Sequence, residues 1–437
     1  MVVSLVLILA GGVAHSATTD DLGALREQMR QLQEQNRALQ QQLESQRQLI
    51  DSLGRKVEDL EHSARPTAEN PPATRADDLV SGPLTKTLST GRIMLSGQGA
   101  VGFYGQGSQG QFAQGGFVLD EAKLFVEANL YTNVYAFSEI VLAQREDPNE
   151  NLRIGEFYLE WEDASALWGR ERLLNLRLGR MYIPFGEEYQ VRDAIYDPLI
   201  SHSLTDFWGV DEGLELYGAL DKFHYVFAVQ NGGYPTLRDF NADKAVTLRL
   251  EYDPVPWLHT SVSGMRTGDL DVKKDVTSAL WFGNGFIEQL GAPATTTTFH
   301  AEIAEGDVQI RWTGGHLSAA GGGLHFKDND TTGNNSRKAW FYSVEGLQGV
   351  GEHFYAAGRV SQIVAPGGLP LVGAGEFGDR FYGNLTTGLW RLSLGLGWRV
   401  SRDLTIKGEY TINRGHELGG KPRDHEDFFG VQAAFRF

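Results

Sequence analysis

Residues 389–400 read LWRLSLGLGWRV, and this stretch decides the fold class. One face of it carries the apolar side chains of Trp390, Leu392, Leu394, Leu396, Trp398 and Val400, and the other carries Arg391, Ser393, Gly395, Gly397 and Arg399. Alternation with a period of two predicts a β-strand with one apolar and one wet face. At about 3.3 Å per residue, the two tryptophans lie about 26 Å apart along the strand. A transmembrane barrel has an apolar band about 25 Å tall with aromatic girdles at both edges.

The same alternation recurs along the chain, for example at 245–252 and 404–413. Alternation alone also fits a soluble β-sandwich, so strand length has to discriminate between the two folds. These runs are eight to twelve residues long, whereas strands of globular proteins are usually five or six. Charged residues persist on one face, which a water-filled lumen tolerates and a sandwich interior does not. The sequence therefore predicts an all-β, antiparallel transmembrane β-barrel.

Strand count and loop lengths give an independent test of this interpretation. Sixteen strands are expected at 93–104, 117–130, 133–145, 151–162, 173–184, 211–220, 222–232, 244–253, 258–267, 298–313, 316–327, 338–348, 353–364, 388–400, 403–414 and 426–437. Short turns alternate with longer loops, as expected for a barrel with both termini in the periplasm. The count of sixteen requires 298–313 to be one uninterrupted strand that continues through Glu305-Gly306-Asp307. Splitting it there, with a further strand at 279–283, gives eighteen strands instead.

Composition excludes several classes of protein. The 437 residues include no cysteine, which excludes disulfide scaffolds, thiolate metal sites and c-type haem attachment. The net charge of −17 argues against a nucleic-acid partner, since such a surface has to be basic. Glycine is frequent, with 53 residues, alongside 11% aromatic residues. This combination favours a β protein with aromatic girdles and glycines that leave room in the lumen or at close strand contacts.

The segment before the barrel divides into three parts. Residues 1–16, MVVSLVLILAGGVAHS, predict a signal peptide, because the apolar core is too short to span a bilayer and small residues precede the cleavage point. Residues 17–62 predict a coiled coil, residues 63–87 a Pro- and Ala-rich linker, and 88–437 the barrel. The heptad a positions are Leu22, Met29, Asn36, Leu43, Ile50 and Val57, and the d positions are Leu25, Leu32, Leu39, Gln46, Leu53 and Leu60. Self-association in the periplasm is expected from this pattern.

One segment resembles a known family. The stretch LRLGRMYIPFG at 176–186 resembles the G-Q-x-x-x-P-F-G sequence of the phosphate-selective porin O/P family, with Arg180 in place of Gln. The strand GEFYLE at 155–160 is similar to that family's E-A-Y-L strand. The resemblance implies a 16-stranded, usually trimeric, outer-membrane diffusion channel. The C-terminal strand, with Phe435 and Phe437, resembles the assembly signal by which the barrel-assembly machinery recognises outer-membrane barrels.

The loop 185–210 is the third long loop, which narrows the pore in general porins. Its candidate constriction residues are Glu187, Glu188, Arg192, Asp193, Asp197, His202 and Asp206. Candidate lumen-facing residues are Lys123, Glu127, Glu156, Arg177, Arg249, Glu251, Arg391, Arg399, Lys407 and Glu409, and candidate membrane-interface aromatics are Trp390, Trp398 and Tyr410. A phosphate filter requires a run of Arg and Lys, whereas this loop is acidic. We expect passive diffusion of small hydrophilic solutes or ions, with weak selectivity or a cation preference.

Other functions find less support in the sequence. The opening of Asp328-x-Asp330 resembles a calcium loop, but Ala339 occupies the position of the bidentate Glu, so no metal site and no cofactor are expected. No nucleophile, base and orienting partner stand in a recognisable motif, and no enzymatic activity is expected. One alternative function stays open because of the coiled coil. The barrel would then be a sleeve or anchor for a partner, such as an envelope-spanning conduit or a cell-wall tether.

Overall fold

The computed structural model describes residues 88–89, 92–108, 110, 112–144, 152–207, 209–232, 242–271, 296–330, 335–370 and 385–437. The predicted signal peptide, coiled coil and linker, residues 1–87, lie outside the described residues. The alternative strand at 279–283 also lies outside them. A search of the described residues for a helix long and apolar enough to cross a membrane finds none.

Sixteen long strands form the body of the fold. In chain order they are β1 (Ile93–Gln106), β2 (Gly116–Tyr131), β3 (Val134–Gln144), β4 (Arg153–Trp161), β5 (Asn175–Tyr182), β6 (Val210–Leu220), β7 (Phe223–Gln230), β8 (Ala245–Val255), β9 (Leu258–Arg266), β10 (Thr298–Trp312), β11 (Gly315–Asp328), β12 (Arg337–Val350), β13 (Phe354–Pro370), β14 (Leu385–Ser401), β15 (Leu404–Glu417) and β16 (Phe428–Arg436). Two-residue strands lie at Leu88–Ser89, Leu270–Asp271 and Pro422–Arg423, and short 3-10 helices at Ala164–Trp168 and Glu188–Val191.

The sheet closes on itself. Each long strand pairs antiparallel with its neighbours in the chain, and β16 pairs antiparallel with β1 from Phe428↔Gln106 to Arg436↔Gln98. The predicted sixteen-stranded barrel is confirmed. β10 runs unbroken through Glu305-Gly306-Asp307 and pairs there with both β9 and β11, so the split that would give eighteen strands is wrong.

Tight turns join the strands at the end of the barrel that holds the start of β1 and the end of β16. Asn133 and Asp221 lie in two of these turns with φ of 59° and 56°. This left-handed conformation is most accessible to Gly, Asn and Asp, which explains the residue types at these turns. Longer connections lie at the other end, and the one between β5 and β6 contains the sequence predicted to enter the lumen.

The outer face of the barrel is apolar. Leu396, Leu178 and Val262 are 70%, 61% and 57% exposed on mid-strand positions. Exposed aromatic residues lie near the turn end of the strands, among them Trp161, Trp257, Trp312, Phe354 and Trp398, and towards the loop end, among them Phe117, Trp340, Trp390, Tyr410 and Phe429. An apolar band between two aromatic girdles is typical of a surface that contacts lipid.

The inner face is polar over most of the wall. Along β14 and β15 the inward residues Arg391, Ser393, Lys407, Glu409 and Thr411 are all at most 3% exposed. Such burial of charged side chains requires partners inside the barrel. The loop between β5 and β6 supplies them.

Candidate pore constriction

The segment 183–209, here called the inner loop, enters the barrel between β5 and β6. Ile183, Phe185 and Phe207 are almost completely buried in an apolar cluster with residues of the wall. The ring of Phe207 lies 4.8 Å from that of Phe341 on β12 and 6.4 Å from that of Phe185. The two ends of the inner loop are therefore packed together against one side of the lumen by apolar contacts.

The middle of the inner loop is held by Lys407 on β15. Its Nζ donates hydrogen bonds to the carbonyl oxygens of Ala194, Asp197 and Leu199, at 2.7, 2.9 and 2.8 Å. An ammonium group has three protons to donate, so all three are used. One buried cation thereby fixes six consecutive residues of backbone.

Two arginines and a tyrosine capture the next carbonyls. Arg359 donates to Ser201 O at 2.7 Å and to Asp197 Oδ1 at 3.0 Å, and Arg391 donates to His202 O at 2.6 Å. Tyr355 donates its hydroxyl proton to Pro198 O at 3.0 Å. Residues 197–202 are thus bonded to three side chains on the neighbouring strands β13 and β14.

Glu409 on β15 binds the same segment from its amide side. Its carboxylate accepts hydrogen bonds from the backbone N–H groups of Ile200 and Ser201 and from the Ser201 hydroxyl. Ser201 Oγ also lies 2.9 Å from Ser393 Oγ. Carboxylates that accept from backbone N–H groups make stronger bonds than neutral acceptors do. The segment 197–202 is therefore bonded through both its donors and its acceptors.

Further cations hold the flanks of the loop. Lys123 on β2 pairs with Asp193, and Arg436 near the C-terminus donates to Tyr196 Oη at 3.0 Å. Arg249 on β8 donates to Gly186 O at 3.2 Å and to Tyr189 Oη at 2.9 Å. The inner loop is attached around the wall, from β2 through β8 and β13 to β16.

All seven candidate constriction residues lie on the inner loop, and they bond to one another or to the wall. Arg192 Nε donates to Asp206 at 2.7 Å, Glu188 accepts from Ser203 N at 2.8 Å, and His202 Nδ1 lies 3.3 Å from Asp197. Asp193 pairs with Lys123 and Glu187 lies 3.3 Å from His259 Nε2. The acidity of the loop is therefore largely balanced by neighbouring cations.

The pKa values of two loop aspartates follow from these pairs. Burial alone would raise the pKa of Asp197, but Arg359 and His202 outweigh it and hold that pKa well below its usual value. Burial opposes ionisation of Asp193 in the same way, and Lys123 keeps its pKa lowered. Both groups are charged at neutral pH and contribute to holding the loop in place.

The ten candidate lumen-facing residues fall into two groups, apart from Arg399. Lys123, Arg249, Arg391, Lys407 and Glu409 hold the inner loop, as described above. Glu127, Glu156, Arg177 and Glu251 lie on β2, β4, β5 and β8, and they are partly exposed. Arg399 is an exposed residue near the turn end of β14 and stacks over Tyr355 at 4.9 Å.

The wall around Arg177 is acidic and aromatic. Arg177 donates to Glu160 at 2.9 Å and to Glu215 at 3.1 Å, and it lies over the rings of Tyr158 and Tyr217 at 5.1 and 4.6 Å. The carboxylate of Glu156 lies nearby and accepts from the backbone N–H of Tyr182 at 3.1 Å. This part of the wall presents more carboxylates than cations.

Sequence reasoning missed Arg359, Tyr355 and Arg436. All three lie in segments that were expected to be strands, and Arg359 shares its face with Ser361, whose side-chain oxygen accepts a hydrogen bond from Leu204 N at 3.0 Å. The sequence does show that Arg359 is a charged residue on the polar face of an alternating segment, which indicates that it faces the lumen. The identity of its partner, more than 150 positions away in the chain, was not readable from that signal.

Two groups of side chains in the described part of the barrel have metal-ligand spacing. One is Glu188, His202 and Asp206, and the other is Glu187, Glu251 and His259. In the first group, Glu188 and Asp206 are already bonded to Ser203 and Arg192, and His202 lies against Asp197. The second group contains buried polar atoms without hydrogen-bond partners.

No protein-family model matches the chain, and no curated protein matches it. Solved structures do match it. OmpT, an outer membrane protein of Vibrio cholerae, is similar with a TM-score of 0.52 in its loop L8 deletion form, at 12% identity over 79% of this chain and 99% of that chain. The outer membrane channel DcaP of Acinetobacter baumannii has a TM-score of 0.51, at 12% identity over 80% of this chain and 99% of that chain. At this level of identity the likeness is one of fold.

Proposed function

We propose that this protein is an outer-membrane porin, a water-filled channel for passive diffusion of small hydrophilic solutes or ions rather than an enzyme. The observation that carries the proposal is the inner loop, which is bonded around the inside of a closed, externally apolar barrel. A loop held in this way narrows the lumen to an aperture of fixed size, as a diffusion channel requires. The apolar band and its aromatic girdles support a position in the lipid of the outer membrane.

The finer assignments rest on sequence. The resemblance at 176–186 supports a relationship to the phosphate-selective porin O/P family, which implies a trimer. One similar solved structure, OmpT of Vibrio cholerae, is described as a trimer form. The final strand supports delivery by the barrel-assembly machinery, and the heptads at 17–62 support a periplasmic coiled coil that aids association or contacts the cell wall.

Weak selectivity or a cation preference is the selectivity we propose. The bases Lys123, Arg359 and Lys407 are buried under the inner loop. They therefore cannot form a row of exposed positive charges along which anions would pass. The partly exposed wall around Arg177 carries a carboxylate excess that includes Glu127 and Glu156. A solute in the lumen therefore meets more negative than positive groups, and phosphate is not the expected cargo.

Planar-bilayer recording of the mature protein tests the proposal. We expect stable ohmic steps in KCl and, under a salt gradient, a reversal potential near zero or on the cation side. Strong anion selectivity would overturn the selectivity part of the proposal. Absence of conductance from folded, inserted protein would overturn the channel itself.

The alternative function, a sleeve or anchor for a partner, draws on the predicted coiled coil. A sleeve that needs its partner should conduct poorly alone. Deletion of residues 20–62 is a second test. If the coiled coil is a tether or an aid to association, the variant should keep the single-channel conductance of the full protein. Loss of membrane insertion would instead give the coiled coil a role in assembly.

A further inference from the structure

We propose that Glu187, Glu251 and His259 form a binding site for a first-row divalent transition-metal ion, with Zn²⁺ as the representative. Glu187 lies at the start of the inner loop, Glu251 on β8 and His259 on β9. One ligand atom from each of the three lies within 4.8 Å of the others. Such an ion would join the inner loop to two strands of the wall. This proposal rests on the barrel and the loop, and not on solute transport.

Strand register brings the wall residues together. Glu251 lies opposite Ser261 on β9, and Ser261 lies opposite Asp307 on β10. Ser261 Oγ donates to Asp307 at 3.1 Å, so both face the lumen. Side chains two residues apart share a face of a strand, which places Asp253 and His259 in the next row. The site is therefore built on rigid paired strands, with only Glu187 contributed by a loop.

The imidazole of His259 has the orientation of a metal ligand. Its Nδ1 lies 2.9 Å from Asp253 Oδ1, and its Nε2 lies 3.3 Å from Glu187 Oε1. An Nδ1–H that donates to a carboxylate leaves the lone pair on Nε2, an arrangement that recurs behind metal-bound histidines. Two ligand atoms at about 2.0–2.1 Å from a tetrahedral Zn²⁺ are themselves about 3.3 Å apart. The spacing of Nε2 and Oε1 matches this value.

Buried atoms without hydrogen bonds point to the same place. His259 is 5% exposed, and its Nε2 lies 3.3 Å from Glu187 Oε1 without good hydrogen-bond geometry between the two atoms. Glu305, 7% exposed on β10 and close to Glu187, is hydrogen-bonded to Asp307. Buried polar atoms in folded proteins nearly always have partners. A proton on Nε2 or a metal ion between Nε2 and Oε1 would satisfy both atoms, and the two cases differ in whether Zn²⁺ binds.

The charge balance of the cluster favours a cation as well. Glu187 and Glu251 lie beside one guanidinium, that of Arg249, which pairs with Glu251, and Glu187 is also close to Glu305 and Asp307. Arg249 Nε lies 3.9 Å from Glu187, beyond hydrogen-bond distance. The carboxyl groups of Glu305 and Asp307 hold a proton between them in their mutual hydrogen bond. Glu187 and Glu251 are therefore the two carboxylates that share this one permanent cation, which leaves a deficit of positive charge in a partly desolvated site. A divalent ion would reduce that deficit while leaving the Arg249 pair in place.

The donor set identifies the class of ion. One imidazole nitrogen with carboxylate oxygens suits Zn²⁺ and its first-row neighbours, whereas Ca²⁺ and Mg²⁺ prefer oxygen ligands alone. Glu187 and Glu251 are partly exposed, so an ion from the lumen can reach the site and a water molecule can complete its coordination.

Titration of the full mature chain, folded in detergent and treated with EDTA, tests the proposal. We expect Zn²⁺ to bind with one ion per chain in calorimetry and to raise the thermal midpoint, whereas Ca²⁺ at the same concentration has little effect. His259→Gln and Glu187→Gln should each lose this binding. Asp253→Asn should weaken it about 10–100-fold, the usual effect of removing the partner behind a metal-bound histidine.

His316→Gln is the matched control, because His316 also lies inside the barrel, with its Nε2 3.2 Å from the single carboxylate of Glu345. It should bind Zn²⁺ as the unaltered protein does. Since His259→Gln can disturb packing, Glu187→Gln on the partly exposed loop provides an independent variant. Equal Zn²⁺ binding by all four variants, or none by the unaltered chain, would overturn the site. The latter result would leave His259 as a hydrogen-bonded link between Asp253 and Glu187. Conductance enters neither readout, so the outcome is separable from the proposed channel.

Discussion

At the scale of single residues, Lys407 shows how a strand side chain determines the position of a distant loop. Three carbonyl oxygens from residues 194–199 satisfy its ammonium group, and the side chain is 2% exposed. Charge-assisted hydrogen bonds of this kind are roughly twice as strong as neutral ones. The lumen-facing position of this lysine follows from sequence alternation, but its role depends on a partner more than 200 residues away.

Lys407→Met should release the middle of the inner loop. The change leaves three buried carbonyls without their donor, and each buried acceptor left unsatisfied costs about 1–3 kcal/mol. We expect a lower thermal midpoint and larger, noisier single-channel steps. Lys421→Met is the control, because Lys421 is exposed and pairs with Glu417 at the end of β15. Equal behaviour of the two variants in bilayer recording would contradict the anchoring role.

The lowered pKa of Asp197 predicts how the loop responds to acid. A carboxyl group whose folded-state pKa lies below its unfolded value of 3.8 stabilises the protein above that value and loses this contribution as the pH falls through the folded-state pKa. The stability difference between the unaltered protein and Asp197→Asn should therefore be constant from about pH 5 to 8 and shrink below about pH 4. Unfolding midpoints measured across that range check it. A difference that grew on acidification would contradict the Arg359 and His202 contacts as its source.

At the scale of secondary-structure elements, glycines on β14 make the approach of the inner loop possible. A Cβ atom on Gly395 would lie 2.5 Å from Leu199 Cδ2 and 3.2 Å from Gly408 O. Leu199 is 1% exposed, so the loop has little room to move aside. The alternation around residues 389–400 predicted both the strand and the small residues on its inner face. The reason for those small residues, contact with a loop, needed the tertiary structure.

Gly395→Val should displace the inner loop without opening the barrel. The side chain would push Leu199 from the wall and strain the hydrogen bonds that Lys407 makes to 194–199, so we expect altered conductance and a destabilisation of about 1–3 kcal/mol, as for other overpacked sites. Gly264→Val on β9 is the control, since a Cβ there meets no atom within 4 Å. Folded yield and single-channel conductance of the two variants separate a local clash from a general effect of valine in a strand.

At the scale of the whole molecule, the sequence predicts the wall better than the contents of the lumen. Long period-two strands and alternating turn lengths determine a closed sixteen-stranded barrel, because each strand has to present one face to lipid and one to water. Contacts such as Arg359 with Ser201 join a strand to a loop distant in the chain, and no local pattern encodes them. The acidic composition of the loop was visible, whereas its balancing by Lys123, Arg249 and Arg359 was not.

This division of charges leads to a prediction about ion selectivity. Because the loop acids are paired with buried bases, the carboxylates on the facing wall should dominate the field that a permeating ion experiences. Glu127 is partly exposed on β2 near the turn end, and its side chain makes no hydrogen bond or ion pair with the residues that the structure describes. Glu127→Gln should shift the cation-to-anion permeability ratio towards anions by about twofold, the scale expected for one charge screened over about 8 Å in physiological salt.

Reversal potentials under a KCl gradient measure that shift. Glu417→Gln is the matched control, because Glu417 lies at the end of β15 beside the exposed Lys421, away from the turn end that holds Glu127. The control should leave the reversal potential unchanged. If Glu127→Gln behaved like the control while a variant of a loop acid such as Asp206→Asn moved the potential strongly, the inner loop itself would set the selectivity. The pairing of Asp206 with Arg192 argues for the first result, since a neutralised pair contributes little field at the distance of a passing ion.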